Sequence, residues 1–591
     1  MEDDRSKSAL SISCADWRKG AKDPSSIKLH AVVIGSGYGG SVAALRLAEM
    51  GYRVTVLERG SEFQPGDFPN DISDTPKFFR LPSIDGQQVM GRANGLFEFR
   101  VGPGVLSLVG NGLGGGSLIN AGVVMRPDTE VFAQEAWPRA IRLPATTAQT
   151  ANTSVPALDD WFKLAEGNLK NLPWPHRHAK TEALNRLACA MRFPTERAQD
   201  ATVSKVSVTI DATKCTSCGN CASGCNVRGA KITLRDTYLS YATHVEGNEA
   251  RLVTGATVWR IEPIHNHQTP SVPQDGRGAA DSWRLCVVET SAIGCWPTWT
   301  DAVDADGFEI IADLVVLAAG TFGSTELLQR SKHECGQRWW IPSELGNRFS
   351  GNGDSLSFVP DADFLVNAIG VSLEDMANRT SSSKVGPTIT AQVNLRHSPS
   401  GKLIPLRDRL TVEDGAVPYA MARVFGEVLA MGLTTAALDK WSTPRIQPNA
   451  DYDPLAAGAE LACRGQILLT MGHDESRGRI VWVPGRDSSV PYWESPEKLQ
   501  TFAVQAELYK DATRRLNTQW IPNPAWRILP ESASSVMSGP VPSSSMTTVH
   551  PLGGCIMGDD PHTSVVDDVG RLWRSEYRDC LLYTSPSPRD S

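Results

Sequence analysis

A β-branched run, Ala31 to Ile34, meets Gly35-x-Gly37-x-x-Gly40, and an Ala/Leu-rich helical pattern then continues to Met50. Gly51 stops that helix, and Arg53 to Leu57 forms a second apolar strand ending at Glu58. Few architectures accept this order. It predicts a buried parallel β-α-β unit whose first turn is shaped for a dinucleotide. Gly35 permits the tight strand-to-helix turn, Gly37 leaves room for a pyrophosphate against bare backbone, and Gly40 lets helix and strand pack closely. The helix start around Tyr38 and Gly39 offers unpaired N–H groups to phosphates. Glu58, 21 residues beyond Gly37, stands where a carboxylate accepts hydrogen bonds from a ribose diol.

The chain of 591 residues is long enough for more than one domain around this unit. A net charge of −8 without any basic run argues against a nucleic-acid partner. No stretch of about 18 apolar residues suggests a transmembrane span. The first 28 residues lack the apolar core of a secretory signal, so a cytoplasmic location is the expectation. Residues 1–27 read as a loosely ordered tail and 61–100 as an irregular surface excursion. The stretch Val109 to Val123 is dense in glycine but interleaved with Leu, Ile and Val, which suits backbone laid against a flat ligand rather than a linker. Residues 251–261 read as one strand, 265–282 as a loop, and 308–320 as a strand leading into a helix.

These motifs together resemble the glucose-methanol-choline (GMC) oxidoreductases, and most nearly their cholesterol oxidase branch. The resemblance rests on the opening unit, Gly110-Asn-Gly-Leu-Gly-Gly-Gly-Ser-Leu-Ile-Asn120, Ala318-Ala-Gly-Thr321 and Val549-His-Pro-Leu-Gly-Gly-Cys555, in that order, from about residue 28 to about 579. It implies an α/β fold in which a Rossmann-like FAD-binding domain (28–130, 228–350 and 541–579) interleaves with a mixed α/β substrate-binding domain (131–227 and 351–540). FAD is the implied cofactor. Tyr38 and Gly39 would meet the pyrophosphate and Glu58 the adenosine ribose. Gly116, Asn120, Ala121 and Val123 would line the isoalloxazine, and Val258 would meet adenine through its backbone.

Oxidation of an alcohol requires its hydroxyl proton to leave, and the pKa of histidine suits that task near neutral pH. His550, followed by Pro551-Leu-Gly-Gly554 as in the family's active-site motif, is the expected catalytic residue. In cholesterol oxidases a glutamate five residues before a proline shuttles a proton during double-bond isomerisation, and Glu413 has that spacing from Pro418. The implied substrate is a sterol 3β-hydroxyl or another hydrophobic alcohol, with oxygen or a redox carrier as the second partner. A sterol would bring transient contact with a membrane surface. The rival readings are an electron-transfer flavoprotein, a flavin-binding pseudoenzyme and a lyase on the same fold.

Cys215-x2-Cys218-x2-Cys221-x3-Cys225 repeats the spacing with which bacterial ferredoxins hold iron–sulfur clusters, although Asn226 stands where they have proline. One iron–sulfur cluster, a zinc ion, or a compact reduced loop are the three readings. Beyond Asp579 the sequence leaves the family pattern, and 580–591 read as a foreign tail, or else as a divergent terminus with a disordered Ser/Pro end, that lacks the asparagine the resemblance implies as the partner of His550.

Overall fold

The computed structural model describes residues 9–20, 29–82, 89–144, 155–192, 202–264, 282–291, 303–304, 306–336, 339–360, 362–376, 384–398, 402–422, 463–483, 488–522, 546–573 and 580–584. The opening unit is as its sequence requires: a strand His30–Ile34, a helix Tyr38–Glu49 and a strand Arg53–Glu58 in parallel register with the first. Around them lies a seven-stranded sheet in the order Ser11–Ser13, Arg251–Thr254, Arg53–Glu58, His30–Ile34, Leu314–Leu317, Cys580–Thr584, Arg571–Trp573. All neighbours are parallel except the last pair. Both faces of the sheet are buried, which is why its strands read as continuous apolar runs. Val32, Ile34, Leu57, Val315 and Leu317 pack under the helix Gly320–Cys335 and a three-stranded antiparallel sheet. Ala31, Val33, Val54, Val56 and Val316 pack under Tyr38–Glu49 on the other face.

A second, six-stranded antiparallel sheet runs Ile521–Pro522, Ser355–Val359, Gln466–Gly472, Leu410–Gly415, Ala391–Leu395, Val203–Lys205. The helices Ala179–Ala190 and Gln500–Arg515 cover one of its faces through Leu184, Leu187, Leu508 and Tyr509 against Val393, Val412 and Leu468. Its other face turns toward the first sheet, and Glu413 lies on one of its central strands.

Several local expectations need correction. Residues 9–20 are not loose: Ser11–Ser13 pairs with the sheet edge, and Glu62 accepts hydrogen bonds from the N–H groups of Leu10 and Ser11 and from the Ser11 hydroxyl. The stretch 61–100 is not a surface excursion either. Phe79–Pro82 and Phe97–Gly102 belong to a five-stranded sheet, with Leu96 and Phe97 fully buried. Its charged residues hide the pattern, because Glu98 is buried between Arg59, Arg80 and Arg100, and Arg100 also pairs with Glu326. The run 251–261 is two strands in different sheets, broken at Gly255, whose φ of +69° redirects the chain. Likewise 308–317 breaks at Asp313, whose carboxylate accepts the His30 N–H. The loop expected at 265–282 lies outside the described residues but for Ser282, which begins a strand. Cys580–Thr584, the start of the stretch read as a foreign tail, pairs as a strand beside Val316 and Leu317.

The Glu98 network yields a stability test. Removing one partner from a buried ion pair leaves the other uncompensated, at a cost of about 3–5 kcal/mol. Glu98→Gln is therefore expected to lower unfolding free energy by about 3 kcal/mol or more in urea denaturation. A midpoint equal to that of the parent protein would contradict the network's role.

Candidate active site

Between the two sheets runs one large cleft, about 5610 Å³ with its open mouth included. Of the expected cofactor residues, Gly35, Gly37, Tyr38, Gly39, Glu58, Gly116, Asn120, Ala121, Val123 and Val258 all line it. Gly40 lies behind the turn, where a Cβ would collide with the Gly35 carbonyl, so its task is packing rather than contact. Gly35, at φ +94°, presses on the backbone of Ala318 and Ala319. At Gly37 and Gly116, in contrast, a Cβ would meet nothing within 4 Å. Those two positions present bare backbone to open space, as a cradle for a ligand does.

The Glu58 carboxylate is buried at the end of its strand, accepting from Ser36 N (3.1 Å), Ser36 Oγ (2.6 Å) and Gly60 N (2.8 Å). Tyr38 Oη accepts from Asn120 Nδ2 at 2.8 Å, tying the first glycine turn to the second. The second turn is held from below by Lys231, whose buried Nζ donates to the carbonyls of Leu118 (3.0 Å), Asn120 (2.6 Å) and Cys221 (3.1 Å). Burial pushes the Lys231 ammonium down to about 8.

His550 and Glu413 line the same cleft, brought together from segments 137 residues apart in sequence. His550 follows the short strand Met546–Thr548, and its Nδ1 lies 2.9 Å from Asp354 Oδ1. Glu413 is 2% exposed, and its Oε1 has no hydrogen-bond partner. Burial pushes its carboxyl up to about 8; His550 opposes that shift, while Asp414 and Asp354 add to it. Apolar side chains surround the pair, including Leu356, Phe358, Ile467, Leu469, Met471 and Val549. Asp354 escaped the sequence reading. Gly-Asn-Gly-Asp354 looks like an ordinary turn, and its partner lies 196 residues away.

The cysteines stand apart from this pair. Cys215, Cys218, Cys221 and Cys225 border a separate small cavity, together with Asn226 and Lys231. Among the described residues, this quartet included, no group of three or more His, Cys, Asp or Glu is arranged to hold a metal ion. Two of the thiols are turned to their own loop: Cys215 Sγ accepts from Ser217 N and Cys225 Sγ donates to Val227 O. Burial pushes Cys225 up to about 11 and raises Cys215 and Cys218. Asn226, where ferredoxins have proline, pins the loop by bonding the backbone of Gly66 and Phe68.

Family models described as GMC oxidoreductase match residues 30–338 and 474–576. The chain belongs to the GMC oxidoreductase family. It is an FAD-dependent oxidoreductase. A cholesterol oxidase of Mycobacterium tuberculosis (strain H37Rv) is 26% identical over 583 residues, covering 92% of this chain and 84% of its own. A cholesterol oxidase of Acinetobacter baumannii is 27% identical over 55% of this chain and 54% of its own. A long-chain-alcohol oxidase of Arabidopsis thaliana is 36% identical over only 117 residues, 20% of this chain and 14% of its own. Formate oxidase of Aspergillus oryzae shares the fold at 13% identity and a TM-score of 0.52, covering 95% of this chain and 94% of its own. Among the described residues no helix is long and apolar enough to cross a membrane.

The raised Glu413 carboxyl has a thermodynamic signature. Between the ordinary carboxyl value of 4.5 and about 8, the folded state binds a proton that the unfolded state has lost. The Glu413 contribution therefore falls as pH rises through that window, and its penalty is complete above about 8. Glu413→Gln removes the dependence. The variant's stability relative to the parent is expected to rise by a few kcal/mol between pH 5 and pH 8, at about 1.4 kcal/mol per pKa unit, in parallel denaturation series. A constant difference across that range would show that Glu413 ionises normally.

Proposed function

We infer that the chain oxidises a sterol 3β-hydroxyl. The observation that carries this reading is that His550 and the buried Glu413, whose carboxyl is raised by burial, line one cleft near enough to interact electrostatically. The residues fit FAD: Gly37 and Gly116 offer uncovered backbone, the start of Tyr38–Glu49 offers N–H groups to the pyrophosphate, and Glu58 faces the ribose position. When bound, FAD supplies the acceptor for the hydride that leaves the carbinol carbon. His550 holds the substrate hydroxyl and takes its proton, a step histidine performs near neutral pH. Glu413, poised near 8, is suited to move a proton in the double-bond isomerisation that follows sterol oxidation. The similarity to cholesterol oxidases over most of the chain supports the substrate class.

A second reading keeps the alcohol chemistry but delivers electrons to a carrier through an iron–sulfur cluster at Cys215, Cys218, Cys221 and Cys225. In its favour stands the common cavity that the four residues border, joined to the cleft through Lys231.

The deciding experiment is an anaerobic titration with cholesterol, following flavin absorbance, with a long-chain primary alcohol in parallel. Bleaching by cholesterol supports the sterol reading, and bleaching by the primary alcohol alone overturns it. Admitting air then separates an oxidase from a dehydrogenase, and iron with acid-labile sulfide analysis tests the second reading. His550→Asn is expected to slow flavin bleaching about 100-fold or more while flavin content stays unchanged. Gly37→Leu is expected to fold normally yet lose bound flavin, since its new side chain enters only open space.

A further inference from the structure

We propose that Asp354 is a positioning residue that fixes His550 in one tautomer and one orientation, with the proton on Nδ1 and Nε2 as the basic nitrogen. This rests on the reading of His550 as the group that takes the substrate proton. The Asp354 carboxylate is 3% exposed and receives four donors. Three come from the backbone and side chain around the histidine: Thr548 Oγ1 at 2.8 Å, Val549 N at 2.9 Å and His550 N at 3.1 Å. The fourth is the imidazole itself, with Nδ1 2.9 Å from Oδ1 and 3.1 Å from Oδ2. One carboxylate thus holds both ends of the same residue, the main chain that carries the ring and the ring. A carboxylate facing donors accepts from Nδ1–H, and the bond made at one ring nitrogen decides which nitrogen keeps its lone pair. The carboxylate also stabilises the imidazolium formed when His550 takes a proton.

Asp354 is itself held rigidly. The turn before it is pinned by buried Asp474, which accepts from Ser350 Oγ (2.8 Å), Gly351 N (2.8 Å) and Gly353 N (3.0 Å). Gln505 on the Gln500–Arg515 helix donates to the Gly353 carbonyl at 3.1 Å. Asn352 and Gly353 both adopt positive φ, and a Cβ on Gly353 would run into Gly472. A site works only if the supports of its reacting group are themselves fixed, and here a chain of bonds runs from Asp474 through the turn to the imidazole. The other charged groups that face the ring are Glu413, on the Leu410–Gly415 strand, with Asp414 and Lys180 behind it.

The test reads the tautomer directly, with 15N-histidine labelling of the intact flavoprotein and assignment of the His550 signals by their loss in His550→Asn. In the parent protein above the imidazole pKa, Nδ1 must carry the proton; an Nε2–H form overturns the proposal without any variant. In Asp354→Asn the amide can keep accepting from the three other donors while offering N–H to the ring. The expected result is a shift of the proton to Nε2, a lower His550 pKa, and a fall of about 100-fold in kcat for alcohol oxidation with KM little changed. An unchanged tautomer and pKa in Asp354→Asn would mean that Asp354 is only a loop staple. Thr548→Val provides the control: a staple role predicts that it loses kcat while Asp354→Asn, which keeps the three loop bonds, does not, whereas positioning predicts lower stability with the tautomer kept. If alcohols fail to bleach the flavin in the parent protein, the functional reading fails, while the tautomer measurement still decides the role of Asp354.

Discussion

The cleft depends on how closely the first strand and its helix approach the Leu314–Leu317 strand. Gly35 N donates to Leu57 O, Ala318 N donates to Ile34 O, and the Gly35 backbone lies against Ala318 and Ala319 with no space for a Cβ. Gly40 closes the same contact from the helix side. This packing fixes the start of the Tyr38–Glu49 helix at the strand ends, and the helix dipole there favours negative charge. Other glycines in the two turns have the opposite task. Gly37 and Gly116 face open space, so one residue type serves close packing at some positions and ligand access at others.

The chemistry end of the cleft is built from charge placed where water is excluded. Three carboxylates, Asp354, Glu413 and Asp414, sit buried within one region, and they do not behave alike. Asp354 is saturated by donors that carry the His550 turn, and Asp414 accepts from Thr390 N, Thr390 Oγ1 and Ala391 N. Glu413 has an oxygen without any partner and keeps its proton well above the ordinary range. Burial that leaves one oxygen without a hydrogen bond disfavours the charged form, and this is what raises the Glu413 carboxyl. The apolar walls of the cleft are also what keep Glu413 protonated.

Much of this was legible in the sequence because the signals are local. The glycine turn, Glu58 and the His550 motif each occupy a few consecutive residues; the turn is read from residue type and spacing, and the role of His550 from the resemblance. Glu413 was reachable through its distance to Pro418, although nothing local revealed its burial. What escaped is long-range or disguised. Asp354 acquires its meaning only when strands far apart in sequence meet. Glu98, Arg80 and Arg100 resemble a solvated surface because a charged residue is usually exposed, and only their mutual pairing allows burial. Breaks at Gly255 and Asp313 were invisible inside apolar runs, since a change of sheet leaves hydrophobicity intact.

The cysteine loop also has a mechanical place. Its spacing matches metal ligation, yet two thiols bond their own loop, and Asn226 fastens the loop to Gly66 and Phe68. Lys231 then joins the Cys221 carbonyl to those of Leu118 and Asn120. A buried ammonium is tolerated only when its donors are satisfied, and here three carbonyls from two segments satisfy it. The bond geometry thereby fixes Asn120, whose amide reaches Tyr38 across the cleft. The loop is in effect a brace beneath the second glycine turn: moving it would move Asn120, and with it the link between the two turns that shape the cofactor cradle.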